Sequence, residues 1–523
     1  MRSRTETCIL LPGTVNEGET MFLRICGAAV LLLVVSFSAR AAITCADVLR
    51  AIGKDLAPGV TCFVSADLTT NNTLPDQKTT PDNNSVPGLP LLAFTPITDR
   101  GVISPDAPNR TPIMKAVPGL QINARIASDP TGQARFLLRL PNDWNGRLVV
   151  AGASGTRSEF NGDFAWSDYV VQKGYAYASQ NKGVLNLFIA SPNAATPPEP
   201  LACRLNPSST FWVHFYDNDP GQPFTRWTKY IVKAAEIARE GVRAGYGHPP
   251  RYTYAVGTSN GGYQVRRAIE TAPDLFDGGV DWEGTFVDEH APNILTDLPP
   301  AILNFPDYVA SGFKGDSTAA KNIRGAGYPP DIVVSTTPPV TLWTNYSNSF
   351  WEVTQCQWQK RLDPGYDTYG SGTGAYNYVS RLSYSDVGAQ IAAFATTGKI
   401  RRPLVTVAGT MDALLPIDHH ARAYARKVAA ASKHGRDDDD DDGDDRRAVY
   451  RLYEVQNGNH IETYKNTFGQ LEFIQPHAQR AFDLLVQQVE RDVPLPPSQC
   501  VPRGGAIADA PAQPGHCASL FVP

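Results

Sequence analysis

The sequence predicts an α/β protein: a mainly parallel sheet covered by helices on both faces, with a large segment inserted between two of its strands. Three observations carry this. Short apolar runs alternate with helical patterns over residues 125–283, the same alternation resumes over 396–499, and between them, over 284–395, it breaks. Strands that alternate with helices pair in parallel, because each crossover helix returns the chain to the starting end of the sheet.

The chain has 523 residues, more than one compact core usually holds. Apolar residues make up 42% and charged residues 19%, which supplies ample core material. A net charge of −5 gives no basis for nucleic acid as a partner.

Taken in order, the first element is an export signal over residues 1–41. Met21 to Arg24 supplies a short basic start, which makes Met21 a candidate initiator. An apolar run from Ile25 to Val35 follows, and Ala39-Arg40-Ala41 gives a small-x-small cleavage pattern. The run is shorter than the about 20 residues of a membrane span. A secreted or periplasmic protein is expected, with no membrane contact after cleavage. Cys8 and Cys26 fall in or before the signal. The remaining cysteines are Cys45, Cys62, Cys203, Cys356, Cys500 and Cys517, none in a CxxC spacing, so they read as disulfide partners. Local spacing favours Cys45–Cys62 and Cys500–Cys517, leaving Cys203–Cys356.

Residues 42–124 are rich in Pro, Asn and Thr and read as an N-terminal arm or small subdomain. Residues 135–140 alternate like a strand, a PNDWNG turn follows, and 147–152 read as a buried strand ending in a small-residue loop. Residues 173–179 lead from a helix into another strand. A helical pattern spans 224–244, with Trp227, Ile231, Ala234, Ile237 and Ala238 on its apolar face. A strand at 252–257, a helix over about 262–271 and a strand through 279–281 continue the rhythm. Over 284–395 turns and aromatics replace it, and this stretch is expected to be an inserted lid domain. The rhythm returns with a strand at 403–409, a helix near 418–431, a strand at 449–455 and a helix near 476–491 that Pro494 and the prolines after it stop. Residues 500–523 form a tail. Residues 436–447 hold eight aspartates around one glycine and read as a solvated acidic loop. Asp438, Asp440, Asp442 and Gly443 match the first half of a calcium loop, but Val449 stands where the bidentate glutamate belongs, so no metal is expected.

The chemistry centres on Gly257-Thr258-Ser259-Asn260-Gly261, a G-x-S-x-G pattern between a strand and a helix. In that context the serine sits on a strained turn with its Oγ presented, the nucleophile elbow of an α/β-hydrolase core. A serine hydroxyl needs a base and a carboxylate to orient that base. The fold places them later in the chain, acid before histidine. Asp412, just past the 403–409 strand, fits the acid, and Asp418 is the runner-up. His460, in the loop after the 449–455 strand, fits the base. Of the nine histidines, His214 and His248 precede the nucleophile, His290 opens the lid, and His419 and His420 adjoin the acid. His434 borders the acidic loop, His477 falls in the last helix and His516 in the tail. The oxyanion is expected to meet the backbone N–H of Asn260 and that of Ala153 or Ser154, in the loop after the 147–152 strand. Trp282, Trp343, Trp351 and Trp358 are candidates to line an acyl pocket, with core packing as the alternative. No organic cofactor is required.

Several segments resemble the tannase and feruloyl esterase family: Leu140-Pro141 with Trp144-Asn145-Gly146-Arg147, Lys173-Gly174-Tyr175-Ala176, the elbow through Gly262, Asp274-Leu275-Phe276-Asp277-Gly278, and residues 409–416. The resemblance covers roughly 140–285 and 400–495. It implies an α/β-hydrolase core with a large lid, an exported esterase, and Ser259, Asp412 and His460 as the triad. The chain departs from the family in having Thr258 and Ile461 where members carry a cysteine pair under the triad. Hydrolases of hydroxyalkanoate esters share comparable Ser-Asn-Gly-Gly elbows. The expected function is therefore a serine carboxylic ester hydrolase acting through an acyl-enzyme on aromatic or hydroxyalkanoate esters, small or polymeric. A peptidase or amidase on the same scaffold, and a non-catalytic secreted binding protein, are the rivals.

Overall fold

The computed structural model describes residues 43–72, 104–155, 158–184, 188–192, 196–197, 200–214, 224–366, 372–434 and 448–523. The expected signal peptide and the acidic loop at 436–447 lie outside the described residues.

Ten strands form the main sheet. They are β1 (Thr61–Ser65), β2 (Gly119–Arg125), β3 (Arg135–Pro141), β4 (Arg147–Gly152), β5 (Ala176–Gln180), β6 (Tyr252–Thr258), β7 (Gly278–Trp282), β8 (Leu404–Gly409), β9 (Tyr450–Val455) and β10 (Gln499–Val501). Their spatial order is β1-β2-β3-β5-β4-β6-β7-β8-β9-β10. Every pairing from β5 to β10 is parallel, while β1, β2 and β3 join one edge antiparallel. This is the α/β-hydrolase architecture.

Alternation along the strands divides the core in two. Leu148 and Val150 of β4 pack on one face, with Ala234 and Ala238 of α2 (Thr225–Tyr246), Val265 and Ile269 of α3 (Asn260–Thr271), and Tyr424 of α7 (Ala421–His434). Val149 and Ala151 face the other way, toward Trp166 and toward Phe482 and Leu485 of α8 (Gln475–Arg491). Both faces are covered, so the strands are apolar along their length rather than half polar.

Strand β2, from the expected N-terminal arm, pairs with β3 over seven residues and so joins the main sheet. Arg139 is fully buried, with Nη1 2.7 Å and Nη2 2.9 Å from the two oxygens of Asp163 and further bonds to Gln121 and Ser167. The buried ion pair satisfies this polar position within the strand.

Between β7 and β8 lie α4 (Ile294–Ala310), α5 (Thr318–Gly325) and α6 (Glu352–Leu362), with a two-stranded hairpin between α5 and α6 and, among the described residues, no strand of the main sheet. Their apolar faces share one cluster with Met411, Ala413 and Ile461, which flank the candidate acid and base. Disulfides join Cys45 to Cys62, Cys203 to Cys356 and Cys500 to Cys517, the three expected pairings. Among the described residues no helix is long and apolar enough to cross a membrane.

Candidate active site

Parallel strands in register end together. Gly152 lies opposite Gly257, Thr258 opposite Trp282, Trp282 opposite Val407, and Gly409 opposite Val455. Ser259, Asp412, His460 and the expected oxyanion donors each follow one of these carboxyl ends, where open α/β sheets hold their ligands.

Ser259 has φ +59° and ψ −122°, a conformation strained for a residue with a side chain. Its N–H donates to Trp282 O at 2.9 Å, which ties the elbow to the neighbouring strand. The flanking glycines are required by contact. A Cβ on Gly257 would stand 2.4 Å from Gly261 O, and one on Gly261 would stand 2.7 Å from the carbonyl carbon and oxygen of Gly152. Helix α3 therefore starts directly against the exit of β4.

Asn260 opens α3, so its N–H has no acceptor within the helix and is free to meet an oxyanion. The second expected donors are engaged in this structure. Ala153 N–H donates to Gln264 Oε1 and Ser154 N–H to Asn161 Oδ1, each at 3.0 Å. Lys182, fully buried at the end of β5, donates through Nζ to the carbonyls of Ala153 and Ser154 at 2.9 and 3.0 Å and fixes the loop from beneath. Sequence reading missed this lysine because a charged residue after a strand looks like the start of a loop.

Asp412 and His460 meet. Asp412 Oδ2 lies 2.7 Å from His460 Nδ1, and both side chains are buried. The other Asp412 oxygen accepts the N–H groups of Leu414 and Leu415, each at 2.8 Å, which fixes the carboxylate. The two loops are joined at the backbone by Met411 N–H to Gly458 O, and by Asn459 Nδ2 to Met411 O. Tyr346, from the segment between β7 and β8, donates to Asn459 Oδ1 at 2.8 Å. Burial lowers the basicity of the imidazole, but the charge and hydrogen bond of Asp412, with Glu283 beside them, outweigh it and hold His460 above its ordinary value. Asp418, the alternative acid, is turned to Arg422 at 3.1 Å.

Residues 519–522 reach back to the same loops. Thr410 Oγ1 donates to Leu520 O, Gln456 Nε2 to Ser519 O, and Asn457 exchanges two hydrogen bonds with Val522.

One more carboxyl stands at the site. Glu283 directly follows β7 and lies 3.4 Å from His460 Nδ1. With Asp412 and His460 it forms a group whose ligating atoms lie within 4.8 Å of one another, the kind of cluster that can hold a metal ion. The Nδ1 atom is already committed to Asp412, so the group reads as a hydrogen-bonded acid–base set. The four candidate pocket tryptophans are buried. Trp282, Trp343, Trp351 and Trp358 are each 1% exposed. Trp282 packs edge-on to Trp166, Trp351 donates to Ala413 O at 2.7 Å, and Trp358 stacks on Phe224. Trp282 belongs to the core of the main sheet, and Trp343, Trp351 and Trp358 to the apolar cluster of the inserted segment.

Sheet, elbow and strand-end site define an α/β-hydrolase. Residues 371–519 match the family model described as 3HB-oligomer hydrolase. Curated relatives include D-(-)-3-hydroxybutyrate oligomer hydrolase of Burkholderia thailandensis, 32% identical over 133 residues, which are 24% of this chain and 17% of that one. The protein of the same name from Burkholderia mallei is 32% identical over 117 residues, 21% of this chain and 15% of that one. The matched region thus spans under a fifth of these relatives' length. Similar solved structures include an esterase from Aspergillus oryzae (15% identity, 86% of this chain and 90% of that one, TM-score 0.48). Feruloyl esterase B from Aspergillus oryzae (13%, 86% and 90%, 0.43) and tannin acyl hydrolase from Aspergillus niger (12%, 86% and 87%, 0.42) are also similar.

Proposed function

We propose that the chain is an exported serine carboxylic ester hydrolase that works through an acyl-enzyme on short 3-hydroxyalkanoate esters. The observation that carries this reading is the buried 2.7 Å Asp412–His460 hydrogen bond at the same sheet edge as the strained Ser259 elbow. Ser259 Oγ attacks the ester carbonyl and its proton passes to His460 Nε2, the ring atom turned away from Asp412. The Asn260 N–H receives the oxyanion. The tetrahedral intermediate collapses, the C–O bond to the alcohol breaks, and His460 returns the proton to the leaving alkoxide. Water, deprotonated by His460, then attacks the acyl-enzyme and releases the acid, restoring Ser259. Asp412 stays ionised and stabilises the imidazolium. The segment between β7 and β8 acts as the lid over this edge. Three disulfides support export to an oxidising compartment.

The substrate class follows the matched family model and relatives, which are named for 3-hydroxybutyrate oligomers. Hydrolysis of a panel of 3-hydroxybutyrate oligomers, galloyl, feruloyl and terephthaloyl esters and short peptides tests it, with Ser259→Ala alongside. The expected result is turnover of the oligomers, lost in Ser259→Ala. Turnover confined to peptides, or retained by Ser259→Ala, refutes the reading.

A further inference from the structure

The proposed mechanism uses one carboxylate, yet two surround His460. Glu283 is 3% exposed, and its backbone has φ +50°, a left-handed conformation that residues other than glycine rarely adopt. It is held there from both sides: its N–H donates to Val407 O at 2.9 Å, and its Oε1 accepts Gly409 N–H at 2.9 Å. Both partners belong to β8, the strand that leads to Asp412. The remaining oxygen, Oε2, is buried, has no hydrogen-bond partner, and lies 3.4 Å from His460 Nδ1. A buried carboxyl in a strained backbone, aimed at a base, is an expensive arrangement for mere packing.

The two acids differ in what holds them. Asp412 accepts two backbone N–H groups and the imidazole, while Glu283 accepts one N–H. Two carboxylates around one buried N–H cannot both be charged, so the charge settles on the acid with more donors. We propose that Glu283 is a protonated second acid of the site, a positioning residue that keeps His460 in place and takes over its orientation when Asp412 loses its charge. This rests on the Ser259–His460–Asp412 reading. Burial, then the charge of Asp412, raises the carboxyl of Glu283 well above the ordinary range, in agreement. The titratable groups facing it are Asp412, His460, Glu462 and Tyr346.

In Asp412→Asn the amide oxygen takes the N–H groups of Leu414 and Leu415, so the NH2 faces Nδ1 and can only donate. Glu283, relieved of a neighbouring charge, then ionises and accepts the Nδ1 proton by closing the 3.4 Å gap. The effect of Glu283→Gln is therefore small with Asp412 present and large without it. The test compares kcat/KM for p-nitrophenyl butyrate between pH 5 and 10 in the wild type, Glu283→Gln, Asp412→Asn, the double variant and Ser259→Ala. We expect Glu283→Gln to fall about threefold and Asp412→Asn about 10²-fold. The double variant should fall about 10⁴-fold, as when an orienting acid has no substitute. The residual rate of Asp412→Asn should also rise with pH through one ionisation that the double variant lacks. Equal rates in Asp412→Asn and the double variant overturn the proposal. So does a flat pH profile in Asp412→Asn, which decides the matter if the double variant does not fold. Retained turnover in Ser259→Ala would instead overturn the triad itself.

Discussion

One methyl group at Gly261 tests whether the elbow works as described. A Cβ there would stand 2.7 Å from the carbonyl carbon and oxygen of Gly152 and 3.2 Å from the carbonyl carbon of Ala153. Carbon atoms settle about 3.5–4.0 Å apart, so the start of α3 and the exit of β4 must separate by roughly 1 Å. The neighbours are backbone rather than mobile side chains, and β4 is fixed by its parallel register with β6. The displacement therefore falls on the Asn260 N–H and on the loop at Gly152 to Ser154. Overpacking of this kind costs about 1–3 kcal/mol of stability. A misplacement of about 1 Å at a reacting centre costs on the order of 10² in rate. Gly261→Ala is thus expected to fold, with a melting temperature a few degrees lower, and to lose about 10²-fold in kcat for p-nitrophenyl butyrate with KM little changed. Steady-state kinetics beside a thermal melt give both numbers. A folded Gly261→Ala variant with wild-type kcat would refute the argument that contact between helix and strand sets the oxyanion geometry.

Other expectations follow from the same structure. Because His460 is held above its ordinary value and acts as a base only when neutral, kcat/KM should fall as pH drops through a point above about 6.5; a limb at pH 6 or below would contradict it. Glu462 is raised to about 8 by burial while its Oε1 caps the N–H groups of Ile474 and Gln475. Its contribution to stability is full below the unfolded value near 4.5 and is lost as pH rises to about 8, so Glu462→Gln should raise the melting temperature more at pH 9 than at pH 5. An equal change at both pH values would count against this. Arg139→Met takes the guanidinium from buried Asp163 and should cost about 3–5 kcal/mol in denaturant unfolding, most of it recovered in Arg139→Met with Asp163→Leu. A loss below about 1 kcal/mol would place that pair with ordinary surface pairs.

The sheet was legible where burial and periodicity agree. β4 occupies the six residues its apolar run marks, since a strand covered on both faces leaves no polar interruption to blur its ends. The long α2 was legible from its 3.6-residue spacing, and the meeting of Asp412 and His460 from their places after β8 and β9. What stayed hidden depends on contacts remote in sequence. Arg139 looks solvated until Asp163, 24 residues on, is seen beside it. Glu283 sits where the βα rhythm gives way to the inserted segment, and a charged residue there reads as a boundary. Its one local sign is its place directly after a strand whose neighbours carry the serine and the acid. The tryptophans were ambiguous for the converse reason: a large aromatic ring suits a pocket and a core equally.

The reach of residues 519–522 to Thr410, Gln456 and Asn457 has a practical side. These three residues precede the acid and the base by two to four positions, and their polar groups are completed by carbonyls and an N–H from the far end of the chain. Cropping the chain before Ser519 would remove the Val522 N–H that Oδ1 of buried Asn457 accepts and loosen the spacing of both loops. An affinity tag for purification therefore belongs ahead of Thr44, on the far side from this seam, and activity measured on a protein trimmed at its tail would understate the intact chain.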